Sequence, residues 1–269
     1  MLPQWNPERL IDKIPFNLAL VGGRRMGKSS AVSDLLLRMR SEFDLIIAFV
    51  GSASCNPVLE EMMRQNWDAR FFFSKWEITL VETLLKQQET LKKAGLNRNI
   101  LILMDDVVLS SDADEQLAHM AMRGRHFSIS LCMCSVSYTS LPKRTRRSLD
   151  CLLVFSLPMQ SDMKILTWEY TQKARMAQFA LSHLEDYECL VLETLQKQQK
   201  LFIWKARLVS LKGDLIQIGE SPESEISQIK PSVEIPEECP PQPHPSDKPS
   251  DLDQMKSREC EDESFEDEK

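Results

Sequence analysis

The chain has 269 residues, is 42% hydrophobic and 27% charged, and carries a formal net charge of −7. That is the make-up of a globular protein with a sizeable core, and no apolar run approaches the ~18–20 residues that cross a membrane. The charge is uneven: residues 211–269 hold 17 acidic and 6 basic side chains, a net of −11 against +4 for residues 1–210, so a nucleic-acid partner for the body is not excluded.

Residues 1–5 show no basic segment ahead of an apolar core, the mark of a secretory signal. A β-type run over 16–21 is followed by glycines and a helical pattern through Leu35, Leu36 and Leu37. A second strand is expected over 44–50 and a short one over 70–73. Leu80, Leu84, Leu85 and Leu91 predict an amphipathic helix over 77–93. Residues 99–104 read as a strand apolar on both faces, 115–122 as a helix, and 128–135 and 151–155 as further strands. One long helix is expected over 163–183. Residues 188–192 and 201–206 are expected to pair as a hairpin around Gln196 to Gln199. Continuous apolar strands separated by helices predict an α/β fold: a mainly parallel sheet with helices on both faces and the hairpin at its edge. The domain is expected over 1–210. Residues 211–269 hold 8 of the 14 prolines and 17 of the 40 acidic residues, and read as a largely disordered tail, above all 222–269. The seven cysteines are irregularly spaced, with no CxxC pair and no Cys/His zinc spacing, which predicts reduced, mostly buried thiols in an intracellular protein.

The run Gly22-Gly23-Arg24-Arg25-Met26-Gly27-Lys28-Ser29 fits the phosphate-binding pattern GxxxxGK[ST], placed between a strand and a helix as its mechanism requires. Glycines let backbone N–H groups curl around a phosphate, Lys28 reaches the β- and γ-phosphates, and the helix N-terminus faces the anion. Gly22, Gly23, Arg24, Arg25, Met26, Gly27, Lys28, Ser29 and Ser30 are therefore the candidate ATP-binding residues. Arg24 and Arg25 either add charge to the nucleotide, face a neighbouring subunit, or form a solvated loop pair. Asp105 and Asp106 end the strand over 99–104. Asp105 suits the carboxylate that holds Mg²⁺ together with Ser29, and Asp106 suits the group that polarises the attacking water. The alternative is a strand-end turn or helix cap. No Asn/Thr-Lys-x-Asp base-reading motif and no compact Arg-rich lid is present, which argues against a GTPase and a small-molecule kinase.

After the Asp-Asp strand come Arg125-His126 before a strand, Ser135-Val136-Ser137-Tyr138 at its end, Leu141-Pro142, then Arg146 and Asp150. In this order the chain, over roughly 14–206, resembles the genome-packaging ATPases of the FtsK–HerA superfamily found in poxviruses, other large eukaryotic DNA viruses and Polinton/Maverick elements. The resemblance implies a RecA-like P-loop NTPase domain and ATP hydrolysis driving double-stranded DNA into a capsid. It also implies a homo-oligomeric ring, a capsid or portal partner, and a location at virion assembly sites in the host cytoplasm or nucleus, or in the virion. It makes Arg125 and Arg146 the candidates for a catalytic arginine supplied to a neighbour. Two departures stand out: Val136 sits where the family usually has a Gln that senses the γ-phosphate, and Ser148 replaces a usual Asn. A helicase-like ATPase and a nucleotide-binding assembly protein with weak hydrolysis are the alternatives. The basic run Lys143, Arg144, Arg146, Arg147 either meets phosphates or a neighbour, or is a solvated helix face.

Overall fold

A computed structural model of the chain describes residues 2–51, 57–67, 69–170, 173–194, 199–209 and 215–216. Strands β1 (Asn17–Val21), β2 (Leu45–Val50), β3 (Phe72–Phe73), β4 (Ile100–Asp105), β5 (Ile129–Ser135) and β6 (Cys151–Val154) run parallel. Strands β7 (Glu188–Glu193) and β8 (Lys200–Lys205) add the expected antiparallel hairpin. The order across the sheet is β3-β2-β4-β5-β1-β6-β7-β8. The helices are α1 (Lys28–Arg38), α2 (Pro57–Asn66), α3 (Ile78–Lys93), α4 (Ser111–Arg123), α5 (Lys143–Arg146), α6 (Gln160–Tyr170) and α7 (Ala174–Leu181).

Alternation along each strand divides the core in two. Leu18, Leu20, Ile46, Leu101 and Leu153 point to the face covered by α1 and α2, through Leu35, Leu36, Met62 and Met63. Ala19, Val21, Ile47, Ile102 and Leu152 point to the other, covered by α3, α4, α6 and α7 through Val81, Leu117, Leu166 and Leu181. Both faces are buried, which is why these strands read as unbroken apolar runs. Cys132, Cys134, Cys151 and Cys189 are free and buried among them.

Four local expectations are corrected. The single helix over 163–183 is two helices: Lys173, at φ −103° and ψ 42°, caps a new start for α7. An unbroken helix over those positions would be about 30 Å long, against about 23 Å for the seven residues of β5. The break lets α6 and α7 each lay an apolar face on the same side of the sheet. The strand over 70–73 shrinks to Phe72–Phe73, because Ala69–Phe71 turn as a 3₁₀ helix. Helix α4 begins at Ser111 because the Ser110 hydroxyl accepts from Ala113 N–H at 3.3 Å, an N-cap that precedes the apolar pattern. Residues 57–66 are helical without having been expected to be. Residues 196–198 of the turn expected around Gln196 to Gln199, and most of the expected tail, 211–269, lie outside the described residues. Within the latter, β10 (Leu215–Ile216) pairs with β9 (Leu208–Val209).

The N-terminal segment closes the β8 edge. Trp5 N–H donates to Ile203 O at 2.8 Å and Ile203 N–H to Pro3 O at 3.0 Å. The buried Glu193 carboxylate holds it there, accepting from Trp5 Nε1 at 2.8 Å and from Arg9 Nε and Nη2, each at 3.0 Å. Burial alone would raise the Glu193 carboxyl pKa, but the Arg9 and Trp5 bonds outweigh it and hold the value below the ordinary one. This stabilisation is therefore complete above the ordinary carboxylate range and fades as pH falls through the lowered value. Glu193→Ala strands the Trp5 and Arg9 donors and should cost about 2 kcal/mol, roughly 4–8 °C in melting temperature. Calorimetry at pH 7 and pH 4 should show the gap between variant and wild type narrowing in acid.

Candidate functional site

Strand β1 delivers the glycine-rich loop to the C-terminal edge of the sheet. Gly27 adopts φ +98° as the N-cap of α1, and a Cβ there would lie 3.2 Å from Tyr187 Cα. Both the turn and the close backbone approach call for glycine. The ammonium of Lys28 is buried and donates to Gly22 O at 2.7 Å and Gly23 O at 2.9 Å, so the loop already wraps its own lysine.

Strand β5 lies between β1 and β4, so the segment after β5 falls between the glycine-rich loop and the Asp-Asp strand end. All three meet in one cleft of about 1110 Å³. Its walls include Arg24, Arg25, Gly27, Lys28, Ser29 and Ser30, then Asp105 and Asp106, then Ser135, Val136, Ser137 and Ser140. Gly22 and Gly23 contribute the carbonyls on Lys28, and Met26 is exposed. Asp105 is buried and Asp106 exposed. Asp106 adopts φ +48°, its N–H donating to Cys134 O at 3.3 Å. Only a glycine fits across from it: a Cβ on Gly51 would lie 2.2 Å from Asp106 O. Among the described residues no three His, Cys, Asp or Glu gather as a metal cluster. The oxygen donors of Ser29 and Asp105 still fit Mg²⁺, which takes most of its ligands from phosphates and water in such sites.

The sequence did not single out Gly51, Asp114 or Tyr187, all of which line this cleft. Burial raises the Asp114 carboxyl pKa. Cys134, beside Asp105 in register, is pushed well up by its hydrogen bond with Cys132, then by burial and the Asp105 charge, and enters the cleft as a neutral thiol.

Arg125 and Arg146 stand apart from that cleft. Both line a second one of about 650 Å³ with Lys143, Arg147, Asp150 and Trp168. It lies by the N-terminal ends of β1 and β6, where Asp150 Oδ2 accepts from Asn17 N–H at 2.8 Å. Arg125 is ion-paired to Asp150. Burial raises the Asp150 carboxyl pKa, against the bonds from Asn17 and Arg125. The Arg146 guanidinium stacks over the Tyr138 ring at 4.7 Å. His126 is exposed.

The sequence profile of the Poxvirus A32 protein family matches residues 4–182. No curated protein matches the sequence. Among solved structures, EssC (ATPases 2 and 3) from Geobacillus thermodenitrificans is similar at a TM-score of 0.52 and 16% identity, covering 79% of this chain and 42% of that one. The cytoplasmic domain of the type VII secretion ATPase EccC from Thermomonospora curvata aligns at 0.51 and 13% identity, covering 76% and 26%. The DNA-packaging ATPase B204 of Sulfolobus Turreted Icosahedral Virus aligns at 0.49 and 13% identity, covering 70% and 97%. The P-loop ATPase fold expected from the sequence is the fold observed.

Proposed function

Because the chain belongs to the poxvirus A32 protein family, we propose that it is an ATP-hydrolysing motor that packages a viral or virus-like genome into a capsid. The observation that carries this reading is the convergence of Lys28, Ser29, Asp105 and Asp106 on one cleft in a member of that family. ATP phosphates lie along the loop over 22–30, where Lys28 exchanges the Gly22 and Gly23 carbonyls for phosphate oxygens. Ser29 and Asp105 would hold Mg²⁺, which would supply positive charge to offset that of the ATP phosphates. Asp106, exposed to the cleft, orients and polarises the attacking water. With Val136 unable to hydrogen-bond through its side chain, the hydroxyls of Ser135 and Ser140 take over contact with the γ-phosphate.

Arg125 and Arg146 act on a neighbouring copy's nucleotide. Their place in a cleft that shares no residue with the glycine-rich loop supports action in trans. Joining one copy's second cleft to the next copy's nucleotide cleft is a head-to-tail contact, the kind that closes into rings. Double-stranded DNA is the substrate moved, a capsid or portal component the docking partner, and virion assembly sites in the host cell the place of work. The test is steady-state ATP turnover with and without double-stranded DNA. Several-fold stimulation by DNA is expected, its loss with rising salt following from phosphate contacts. Tight ATP binding with no turnover in either condition would instead favour a nucleotide-binding assembly protein.

A further inference from the structure

The segment after β5 touches both clefts. Its residues Ser135, Ser137 and Ser140 line the nucleotide cleft. Its far side is fastened to α6. The buried Asp162 carboxylate accepts from Ser137 Oγ at 2.6 Å, Thr139 Oγ1 at 2.8 Å and Tyr138 N–H at 3.3 Å. Between these anchors the Tyr138 side chain is fully buried, and its hydroxyl donates to Glu169 Oε2 at 2.6 Å. That same oxygen lies 3.4 Å from Arg146 Nη1, and the Arg146 guanidinium stacks on the Tyr138 ring. One side chain therefore meets Arg146 twice, by its π-face and through a shared carboxylate, while its backbone belongs to the phosphate-facing turn.

We propose that Tyr138 is a positioning residue that ties the phosphate-facing turn to Arg146, so that the nucleotide in one copy's cleft sets the placement of the arginine that copy offers to its neighbour. The proposal rests on Arg146 acting in trans. A γ-phosphate drawing on Ser135 or Ser140 moves the turn. The turn carries Tyr138, and Glu169 and Arg146 follow it through the hydroxyl bond and the stacking. Asp162 is the fixed point, holding the turn to the first turn of α6 while its other end responds.

Tyr138→Phe tests this with little disturbance, since it keeps the ring, its volume and the stacking and removes only the bond to Glu169. The expected result is a kcat about tenfold lower, the scale of one hydrogen bond to a charged group, with affinity for a non-hydrolysable ATP analogue within about twofold of wild type. Mixed with Asp106→Asn copies, which hold ATP without hydrolysing it, Tyr138→Phe copies should regain activity, because their own phosphate site is intact and the nucleotide-loaded neighbour supplies a well-placed Arg146. Glu169→Gln, which keeps an oxygen acceptor for Tyr138 but drops the charge facing Arg146, should show the same pattern and serves if Tyr138→Phe folds poorly. Arg146→Ala mixed with Asp106→Asn is the control. Recovery in that control alongside a wild-type kcat for Tyr138→Phe and Glu169→Gln would overturn the link and leave the trans arginine standing. A lowered kcat with no recovery on mixing, while the control recovers, would place Tyr138 in its own copy's site and overturn the link equally. No recovery in the control, in mixtures shown to co-assemble, would remove the trans reading and the link with it.

Discussion

Lys28→Ala is expected to abolish turnover and to weaken ATP binding by more than a hundredfold, with the fold intact. The Lys28 ammonium is buried and held by two backbone carbonyls of its own loop, an arrangement in which a positive charge is kept ready for an anion. Losing charge-assisted bonds to phosphate in such a place is worth roughly 3 kcal/mol or more, and each 1.4 kcal/mol is tenfold in affinity. The fold is spared because position 28 is the first residue of α1, where Ala is a good helix former and the partners lost are carbonyls that water can reach once the side chain is gone. Titration calorimetry with an ATP analogue and a thermal melt on the same sample give the answer. Wild-type affinity would remove the phosphate site from the glycine-rich loop. A large fall in melting temperature would make Lys28 structural.

The second large effect belongs to the arginines of the second cleft. An arginine that stabilises charge on a transferring phosphoryl group is worth roughly 10³–10⁵ in rate, about 4–7 kcal/mol of barrier. A solvated surface charge cannot supply that. Arg125→Ala and Arg146→Ala should each be made and each mixed with Asp106→Asn, whose copies hold ATP without hydrolysing it. In a mixed assembly, some contacts join an intact Asp106 to an intact arginine, and activity partly returns if the arginine works across the contact. If it works within its own copy, every copy still lacks one element and no ratio restores turnover. The two residues need not behave alike. Arg125 is already ion-paired to the buried Asp150, whereas Arg146 is held between Tyr138 and Glu169. Full activity of both single variants would dismiss the role altogether.

What the sequence disclosed was local or periodic. The glycine-rich loop and the Asp-Asp strand end are runs of consecutive residues, and their chemistry is readable because position along the chain is position in the site. Strands buried on both faces announce themselves as unbroken apolar runs, so the parallel sheet was legible too. The parts that escaped depend on partners far along the chain. Glu193 receives Trp5 and Arg9, more than 180 positions earlier, and nothing near Glu193 distinguishes it from a surface acid. Asp162 likewise looks like a helix-start residue until Ser137, Tyr138 and Thr139 are brought to it. The break before α7 escaped because the apolar spacing continues through it, and periodicity records which residues are buried without recording whether the helix between them is continuous.

The margins of the sheet bear on how copies can join. At one side β3 is only two residues long, and at the other the N-terminal segment already pairs with Ile203 in the middle of β8. Such margins offer a neighbour little free ladder for a strand of its own. In the ring proposed above, joints between copies would then be made by side chains, which can let go and reseat with every nucleotide consumed. A continuous backbone seam would weld the copies into one rigid wall, and a machine that must pass a polymer hand to hand needs seams that open.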